Sequence, residues 1–260
     1  MPQLLVHGTA VRYRHQPGPA PLSPAILLLH MAGSSSLAWS PVVRRLAGAA
    51  EVLAPDLPGH GQSAGEPPAS ISEMADFALA FLDALRIARV TVAGHSMGGA
   101  IALALALRQP ARVQALLLAS TAARLPVAPA IFAAIDRDFE NLGGWFEQLA
   151  AGTASAPPVG AEPIFPQTSQ LGVRRDFEAC AAFDVEDRLA GIACPATVLV
   201  GRDDRLTPPR WSERLADGLA VSRLQVVERC GHLLPRERPE LVAAAARDLV
   251  APPSGVAGIQ

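Results

Sequence analysis

The stretch Gly94-His-Ser-Met-Gly-Gly99 decides the fold of this chain. It follows an apolar run, Arg89–Ala93, that predicts a buried strand, and it opens a segment up to Arg108 that predicts a helix. A sharp strand-to-helix turn forces its central residue into strained backbone geometry, so the residues two positions to either side must be small. Both of these residues are glycines here. The turn would hold the hydroxyl of Ser96 clear of the sheet, which makes Ser96 the candidate nucleophile.

Short apolar runs and amphipathic segments alternate on both sides of this turn. This alternation is typical of parallel strands joined by helices, and it predicts an α/β fold with helices on both faces of the sheet. The other predicted strands are Ala25–His30, Glu51–Pro55, Val113–Ala119, Ala196–Val200 and Arg223–Val227. The other predicted helices are Leu37–Leu46, one that begins at Ser70 or Ser72, one near Pro209–Leu219, and Pro239–Val250.

The alternation stops after residue 121 and resumes near residue 190. The intervening segment is rich in Pro and Gly and holds irregular apolar clusters, with no convincing strand. Because a structureless loop of this length is unusual inside a compact domain, we expect a helical cap over residues 122–189. The core domain would then comprise residues 1–121 and 190–250, and residues 251–260 are expected to form a disordered tail.

Activation of a serine hydroxyl requires a base, and the base requires a group that orients it. His232 follows the predicted strand Arg223–Val227, at the carboxyl edge of a parallel sheet, where ligands bind. Asp203 and Asp204 follow the strand Ala196–Val200 at the same edge, and both are candidate acids. Along the chain, the candidate serine comes first, the aspartate second and the histidine third. This order is typical of one particular fold and differs from the order in chymotrypsin-like and subtilisin-like proteins.

The chain resembles the α/β-hydrolase superfamily over nearly its whole length. It is most similar to small bacterial carboxylesterases, enol-lactonases, C–C bond hydrolases and cofactor-free perhydrolases. The matching segments are His30-Met-Ala-Gly33, Asp56-Leu-Pro-Gly-His-Gly-Gln-Ser63, Gly94-His-Ser-Met-Gly-Gly99, Gly201-Arg-Asp-Asp204 and Gly231-His232. The resemblance implies the α/β-hydrolase fold, with a mostly parallel eight-stranded sheet and a helical cap.

The resemblance also implies roles for single residues. The acid of this family usually stands three residues after the glycine, which favours Asp204 over Asp203. The backbone amides of Met97 and Ala32 would form the oxyanion hole. Met31 stands where the family usually has glycine, and the side chain of His30 is expected to orient this loop by hydrogen bonding.

Composition excludes several other functions. All 22 basic residues are Arg, so neither a lysine Schiff base nor a P-loop lysine is possible. No basic stripe is visible, so nucleic acid is not an expected partner. The three Cys match neither a zinc site nor a disulfide framework, and we expect no metal and no cofactor. Without a signal peptide or an apolar run of about 20 residues, a cytoplasmic protein with no membrane segment is expected.

The expected reaction is therefore transfer of an acyl group from a small, largely apolar ester to water through an acyl-enzyme. Met31, Phe132, Trp145 and Phe146 are the candidate substrate-binding residues. The aromatic residues would either line an apolar pocket or pack inside the cap. Arg174, Arg175 and Arg188 would either face solvent or meet a substrate carboxylate. An acyltransferase, perhydrolase or C–C bond hydrolase with the same triad remains open, as does a non-catalytic ligand-binding relative. The sequence predicts no oligomeric state.

Overall fold

The computed structural model describes residues 1–20, 22–152, 164–165 and 168–251. Apart from Ala251, the tail expected at 251–260 lies outside the described residues. The same holds for residues 153–163 and 166–167 of the expected cap.

The described residues form one eight-stranded sheet, in the order β1-β2-β4-β3-β5-β6-β7-β8. The strands β1 and β2 are antiparallel to each other, β2 is antiparallel to β4, and the others run parallel. Their bounds are Gln3–Val6, Thr9–Gln16, Ala25–Leu29, Glu51–Pro55, Val90–His95, Val113–Ala119, Ala196–Gly201 and Ser222–Val227 for β1 to β8. The predicted mostly parallel sheet is confirmed.

Both faces of the sheet are covered, which explains the continuous apolar runs in its central strands. In β3, Leu27 and Leu29 belong to one hydrophobic cluster, whereas Ile26 and Leu28 belong to another on the opposite face. The first cluster includes residues of the helices Ile71–Ala84, Met97–Arg108 and Pro209–Gly218, and the second includes residues of the helices Ser40–Leu46 and Pro239–Val250. The functional loops are therefore carried by strands that are fixed from both sides.

The described residues contain nine α-helices, and those with predicted bounds mostly begin and end where the sequence indicates. They are α1 (Ser40–Leu46), α2 (Ile71–Ala84), α3 (Met97–Arg108), α4 (Pro129–Arg137), α5 (Leu142–Ala150), α6 (Gln170–Ala181), α7 (Pro209–Gly218), α8 (Leu234–Glu237) and α9 (Pro239–Val250). Of the two possible N-caps of α2, Ser70 is the cap, since its side chain accepts a hydrogen bond from the Glu73 amide. Within this described part of the chain, no helix is long and apolar enough to cross a membrane.

The helix predicted over Leu37–Leu46 is wrong in its first turn. Residues Ser36–Trp39 form a 3₁₀ turn, and α1 begins only at Ser40. Pro41 is the reason, because a proline inside an α-helix lacks the amide hydrogen and clashes with the preceding turn, whereas the first turn tolerates it.

The segment expected to form the cap contains α4, α5 and α6. Its two ends are tied together by an isolated antiparallel bridge between Arg124 and Asp184. No longer strand is found among its described residues. The segment leaves the sheet at the carboxyl end of β6, which is the edge that carries the candidate site.

Candidate active site

Ser96 lies at the turn between β5 and α3 in a strained backbone conformation, with φ of 53° and ψ of −116°. A positive φ costs a residue other than glycine on the order of 1–3 kcal/mol, and it persists only where the surroundings enforce it. Here the Ser96 amide donates to the Ala119 carbonyl over 3.0 Å, and the Thr121 hydroxyl donates to the Ser96 carbonyl over 2.8 Å. The neighbouring strand β6 therefore stabilises the strained turn.

The glycines on either side of Ser96 leave no room for a side chain. A Cβ atom at Gly94 would lie 2.2 Å from the Gly98 carbonyl oxygen. One at Gly98 would lie 2.1 Å from the carbonyl oxygen of Leu29 in β3. Both contacts are with backbone atoms, which cannot move aside without displacing a strand or the helix. The requirement for small residues at these positions, which the sequence predicted, is confirmed.

We expect Gly98→Ala to lower the free energy of unfolding by about 3 kcal/mol or more, because its methyl group would overlap the β3 backbone. The matched control is Gly143→Ala in α5, where an added Cβ would have nothing within 4 Å. Alanine there should stabilise by up to about 1 kcal/mol through helix propensity. Urea denaturation of both variants measures the difference. Equal stabilities would show that the turn can relax around the methyl group.

Asp204 and His232 are brought together at the ends of β7 and β8. The Nδ1 atom of His232 lies 2.9 Å from Oδ2 and 3.1 Å from Oδ1 of Asp204, and both side chains are buried. Asp204 also accepts hydrogen bonds from the amides of Leu206 and Thr207 and from the Thr207 hydroxyl. This arrangement fixes the carboxylate and leaves the Nε2 atom of His232 for a reaction partner.

The carboxylate of Asp204 is held in its ionised form. Burial alone raises its pKa, but the attraction of His232 and the hydrogen bonds from His232 and Thr207 outweigh burial and bring the pKa below its ordinary value. Asp203, the other candidate, instead has its amide bonded to the Cys230 carbonyl over 2.9 Å. The geometry thus favours Asp204 as the partner of His232.

Several groups that the sequence did not reveal hold the His232 loop. Glu237 in α8 accepts hydrogen bonds from the amides of Gly231 and Leu233, which flank His232. The His232 amide donates to the Ala150 carbonyl at the end of α5 over 2.7 Å. A glutamate five residues after the Gly-His dipeptide is a local signal that could have pointed to this arrangement.

His95, the neighbour of Ser96, also holds the His232 loop through a hydrogen bond. Its Nε2 atom donates to the His232 carbonyl over 2.8 Å. Burial, followed by repulsion from His232, lowers the pKa of His95 to about 3, so this imidazole is neutral at neutral pH. His95 therefore fixes the backbone of the candidate base without competing for its proton.

Ser96 and His232 line the same cavity, which has a volume of about 160 Å³. Most of the other lining residues are apolar and come from the loop after β3, from the cap, from the loop before α7 and from the first turn of α7. They include Met31, Ala32, Leu125, Ile131, Phe146, Phe177, Leu206 and Trp211. An apolar cavity with a few convergent polar groups is typical of a small-molecule site.

Of the four candidate substrate-binding residues, the structure places Met31 and Phe146 in this cavity but not Phe132 or Trp145. The phase of the cap helices is the reason, since Ile131 and Phe146 occupy the inward positions and their neighbours are rotated away by about 100°. Phe132 instead packs beneath the Arg174 guanidinium, whose central carbon lies 5.6 Å from the ring centre. Phe177, which sequence reasoning did not choose, takes part in the lining.

The backbone amides of Ala32 and Met97 are the oxyanion donors that the sequence analysis predicts. Across the described ranges, neither amide donates a hydrogen bond to another protein group. Met97 begins α3, where the helix dipole favours negative charge. Ala32 belongs to the loop after β3 and lines the cavity.

His30 orients the loop after β3. Its Nδ1 atom donates to the Met31 carbonyl over 2.8 Å, and its Nε2 atom accepts from the Leu57 amide over 3.2 Å. Burial, followed by repulsion from His60, lowers the pKa of His30 to about 3, in agreement with this neutral tautomer. The Met31 carbonyl and the Ala32 amide belong to one peptide unit, so His30 also sets the direction of that amide.

The three arginines considered for a substrate carboxylate lie elsewhere. Arg174 pairs with Asp136 and Glu178, and Arg175 pairs with Glu66, on the outer surface of the cap. Arg188 lines a separate surface cavity between α2, α3 and the end of α6. None of the three lines the cavity that contains Ser96 and His232.

Comparison with known proteins agrees with this geometry. A sequence model of the alpha/beta hydrolase family matches residues 4–245. The chain belongs to the alpha/beta hydrolase family. Among curated members, it is 30% identical over 237 residues to the putative carbamate hydrolase RutD of Agrobacterium fabrum strain C58, a match that covers 84% of this chain and 90% of the relative.

Two further members of this hydrolase family are similar over most of their length. The pimeloyl-[acyl-carrier protein] methyl ester esterase of Neisseria meningitidis serogroup B is 31% identical over 242 residues, which cover 86% of this chain and 92% of the esterase. The crystal structure of the enol-lactonase from Burkholderia xenovorans LB400 superposes with a TM-score of 0.86 at 28% identity and covers 96% of this chain and 99% of that chain. The chain is thus a hydrolase of the alpha/beta family.

Proposed function

We propose that this hydrolase cleaves carboxylic esters of small, largely apolar substrates through a Ser96-Asp204-His232 triad. One observation carries the proposal. A serine on a strained turn and a histidine bonded to a buried aspartate open onto the same apolar cavity. A histidine that is oriented by a carboxylate can remove a proton from a serine hydroxyl in the way this chemistry requires.

The reaction proceeds in two acyl transfers. His232 Nε2 takes the Ser96 proton as the serine oxygen bonds to the ester carbon, and the carbonyl electron pair moves onto oxygen, which the Ala32 and Met97 amides bind. The C–O bond to the alcohol then breaks, and the alkoxide takes the proton from His232. Water repeats the same steps on the acyl-enzyme, which releases the acid and restores Ser96. Asp204 stabilises the imidazolium that forms in each half.

The relatives support an acyl bond as the target, since their names describe a methyl ester esterase, a carbamate hydrolase and an enol-lactonase. An acyltransferase, perhydrolase or C–C bond hydrolase would use the same triad and remains the second candidate. A non-catalytic binding protein would be expected to lack a triad member, whereas all three proposed residues are present in this sequence. A small acyl compound and water are the proposed partners, and the cytoplasm is the proposed location.

A substrate panel tests the proposal. It comprises p-nitrophenyl esters from acetate to decanoate, an aliphatic lactone and an alkyl carbamate. We expect the highest kcat/KM for a short or medium acyl chain, with a sharp fall once the chain outgrows the cavity of about 160 Å³. Product analysis with added alcohol or peroxide separates hydrolysis from transfer. If the acyl group goes mainly to an added acceptor, the esterase assignment gives way to the acyltransferase or perhydrolase.

A fluorophosphonate probe tests the nucleophile directly. We expect one adduct per chain, located on Ser96 by peptide mass spectrometry. Wild-type protein that neither turns over any acyl compound of the panel nor reacts with the probe would refute the proposed function.

A further inference from the structure

A buried ion pair joins the cap to the loop that carries Ala32. Oδ2 of Asp176, in α6, lies 2.7 Å from the Nε2 atom of His60 and accepts the Gly33 amide over 2.7 Å. Asp176 lies 116 residues along the chain from His60 and 143 from Gly33, so tertiary structure alone brings them together. The side chains of Asp176 and His60 are both fully buried.

The hydrogen-bond pattern of His60 fits an ion pair with Asp176. His60 Nδ1 lies 2.9 Å from the Pro58 carbonyl, which can only accept, so Nδ1 carries a hydrogen atom. The second ring nitrogen faces the Asp176 carboxylate. Burial lowers the pKa of His60, but the attraction of Asp176 and its hydrogen bond raise the pKa above its ordinary value. The raised pKa favours the charged form of His60 opposite Asp176, and burial excludes solvent from between the two side chains.

The pair acts on the peptide unit next to the proposed oxyanion donor. Gly33 has a φ of 68°, and a Cβ there would lie 2.5 Å from the Phe165 ring and 3.0 Å from Val173, both of the cap. On one side of Ala32, His30 fixes the Met31–Ala32 peptide through its carbonyl. On the other side, Asp176 fixes the Ala32–Gly33 peptide through its amide. The peptide units on both sides of Ala32 are thus fixed by hydrogen bonds. The bond to the second peptide unit comes from Asp176 of the cap.

We propose that Asp176 is a positioning residue that, together with His60, makes the oxyanion hole dependent on the docked cap. This inference rests on the proposed function, because it assigns the Ala32 amide to the oxyanion. Asp176 does not line the cavity, so it acts through Gly33 and not on substrate. The charge on Oδ2 strengthens the bond to the Gly33 amide, and His60 compensates that charge and keeps the carboxylate from turning away.

The test compares Asp176→Asn with Glu178→Gln in the full chain. Asn is nearly isosteric but carries no charge and leaves His60 without its counter-ion. We expect kcat for the best p-nitrophenyl ester to fall about 10- to 100-fold, with KM within about threefold of wild type, since a misplaced oxyanion donor weakens binding of the transition state alone. Glu178 is two residues further along α6 and exposed, where it pairs with Arg174, and its variant should keep the wild-type kcat.

Binding of an aryl trifluoromethyl ketone distinguishes positioning from a merely structural role. Ser96 adds to the ketone carbon, the carbonyl electrons form an oxyanion, and His232 keeps the proton. In Asp176→Asn the inhibition constant should rise by the same factor by which kcat/KM falls. A merely structural role would lower the unfolding temperature and leave both quantities unchanged below it.

If Asp176→Asn does not fold, the double variant His60→Gln/Asp176→Asn replaces the ion pair by an amide pair and leaves no charge unpaired. Wild-type kcat in either folded variant, or a change confined to KM, would overturn the inference. Failure of both variants to fold would also overturn it, because the pair would then be required by the fold and not by the loop. Absence of activity in wild type would instead refute the proposed function, which keeps the two failures distinct.

Discussion

Replacing Ser96 with Ala is expected to lower kcat for p-nitrophenyl esters by about 10⁶-fold, with little change in KM. The hydroxyl is the atom that bonds to the acyl carbon, so its removal abolishes the acyl-enzyme route and leaves only the contribution of the oxyanion hole and of binding. Fluorophosphonate labelling should disappear together with turnover. Alanine also fits the strained turn, because it is smaller than serine.

Ser120→Ala is the matched control for this experiment. Ser120 is also a buried serine with a positive φ, 48°, at the carboxyl end of the neighbouring strand β6, but it does not line the cavity. Its kcat should remain within about threefold of wild type. If Ser96→Ala keeps more than about 1% of wild-type turnover after contaminating esterases have been excluded by active-site titration, Ser96 is not the nucleophile.

Acidification is expected to destabilise the protein well before its carboxylates are protonated. His30 and His95 are neutral when folded because their pKa values are lowered to about 3, whereas in the unfolded chain each takes up a proton near pH 6.5. Between pH 6.5 and pH 3 the unfolded state thus binds two more protons than the folded state. Each of these protons lowers the free energy of unfolding by about 1.4 kcal/mol for every pH unit of acidification. From pH 6.5 to 4.5 the free energy of unfolding should therefore fall by roughly 5 kcal/mol.

The other buried groups with shifted pKa values do not offset this loss of stability between pH 6.5 and 4.5. The raised pKa of His60 gives a stabilisation that is complete below pH 6.5 and is lost only at higher pH. The lowered pKa of Asp204 also stabilises the folded protein, and this stabilisation is lost only as the pH falls below about 3.8. The loss of stability between pH 6.5 and 4.5 is thus assigned to the two buried neutral imidazoles.

Urea denaturation at several pH values measures this dependence. The variant His95→Gln should show about half the wild-type slope, because one of the two differential protons is removed. The control is His7→Asn on the exposed hairpin turn, where asparagine tolerates the positive φ of 49°. It should keep the wild-type slope. A free energy of unfolding that stays constant from pH 6.5 to 4.5 would mean that His30 and His95 are protonated in the folded protein.

Local chemistry explains why much of the fold could be predicted. The turn around Ser96 combines backbone strain with glycines that no other residue can replace, and β3 is an uninterrupted apolar run because both of its faces are covered. These features depend on residues that are neighbours in sequence. The positions of Asp204 and His232 could also be predicted, since parallel strands bring their carboxyl ends to one edge of the sheet.

The errors have equally local causes. Pro41 moved the start of a helix, because proline is tolerated only in the first turn. Phe132 and Trp145 are predicted to bind substrate as aromatic residues of the cap, but the rotation of the cap helices turns Ile131 and Phe146 inward instead. The sequence shows which aromatic residues belong to the cap. It does not show how each cap helix is rotated about its axis, and this rotation decides which of those residues line the cavity.

The sequence by itself determined the sheet, the strained turn at Ser96 and the strand ends that carry Asp204 and His232, because short-range sterics and burial periodicity specify them. Only the tertiary structure decided which side chains line the cavity and how the loop with Ala32 is held. Those outcomes depend on contacts such as Asp176 with Gly33, which bring together groups 143 residues apart. No local pattern encodes such a contact, since it forms only when the cap packs on the core.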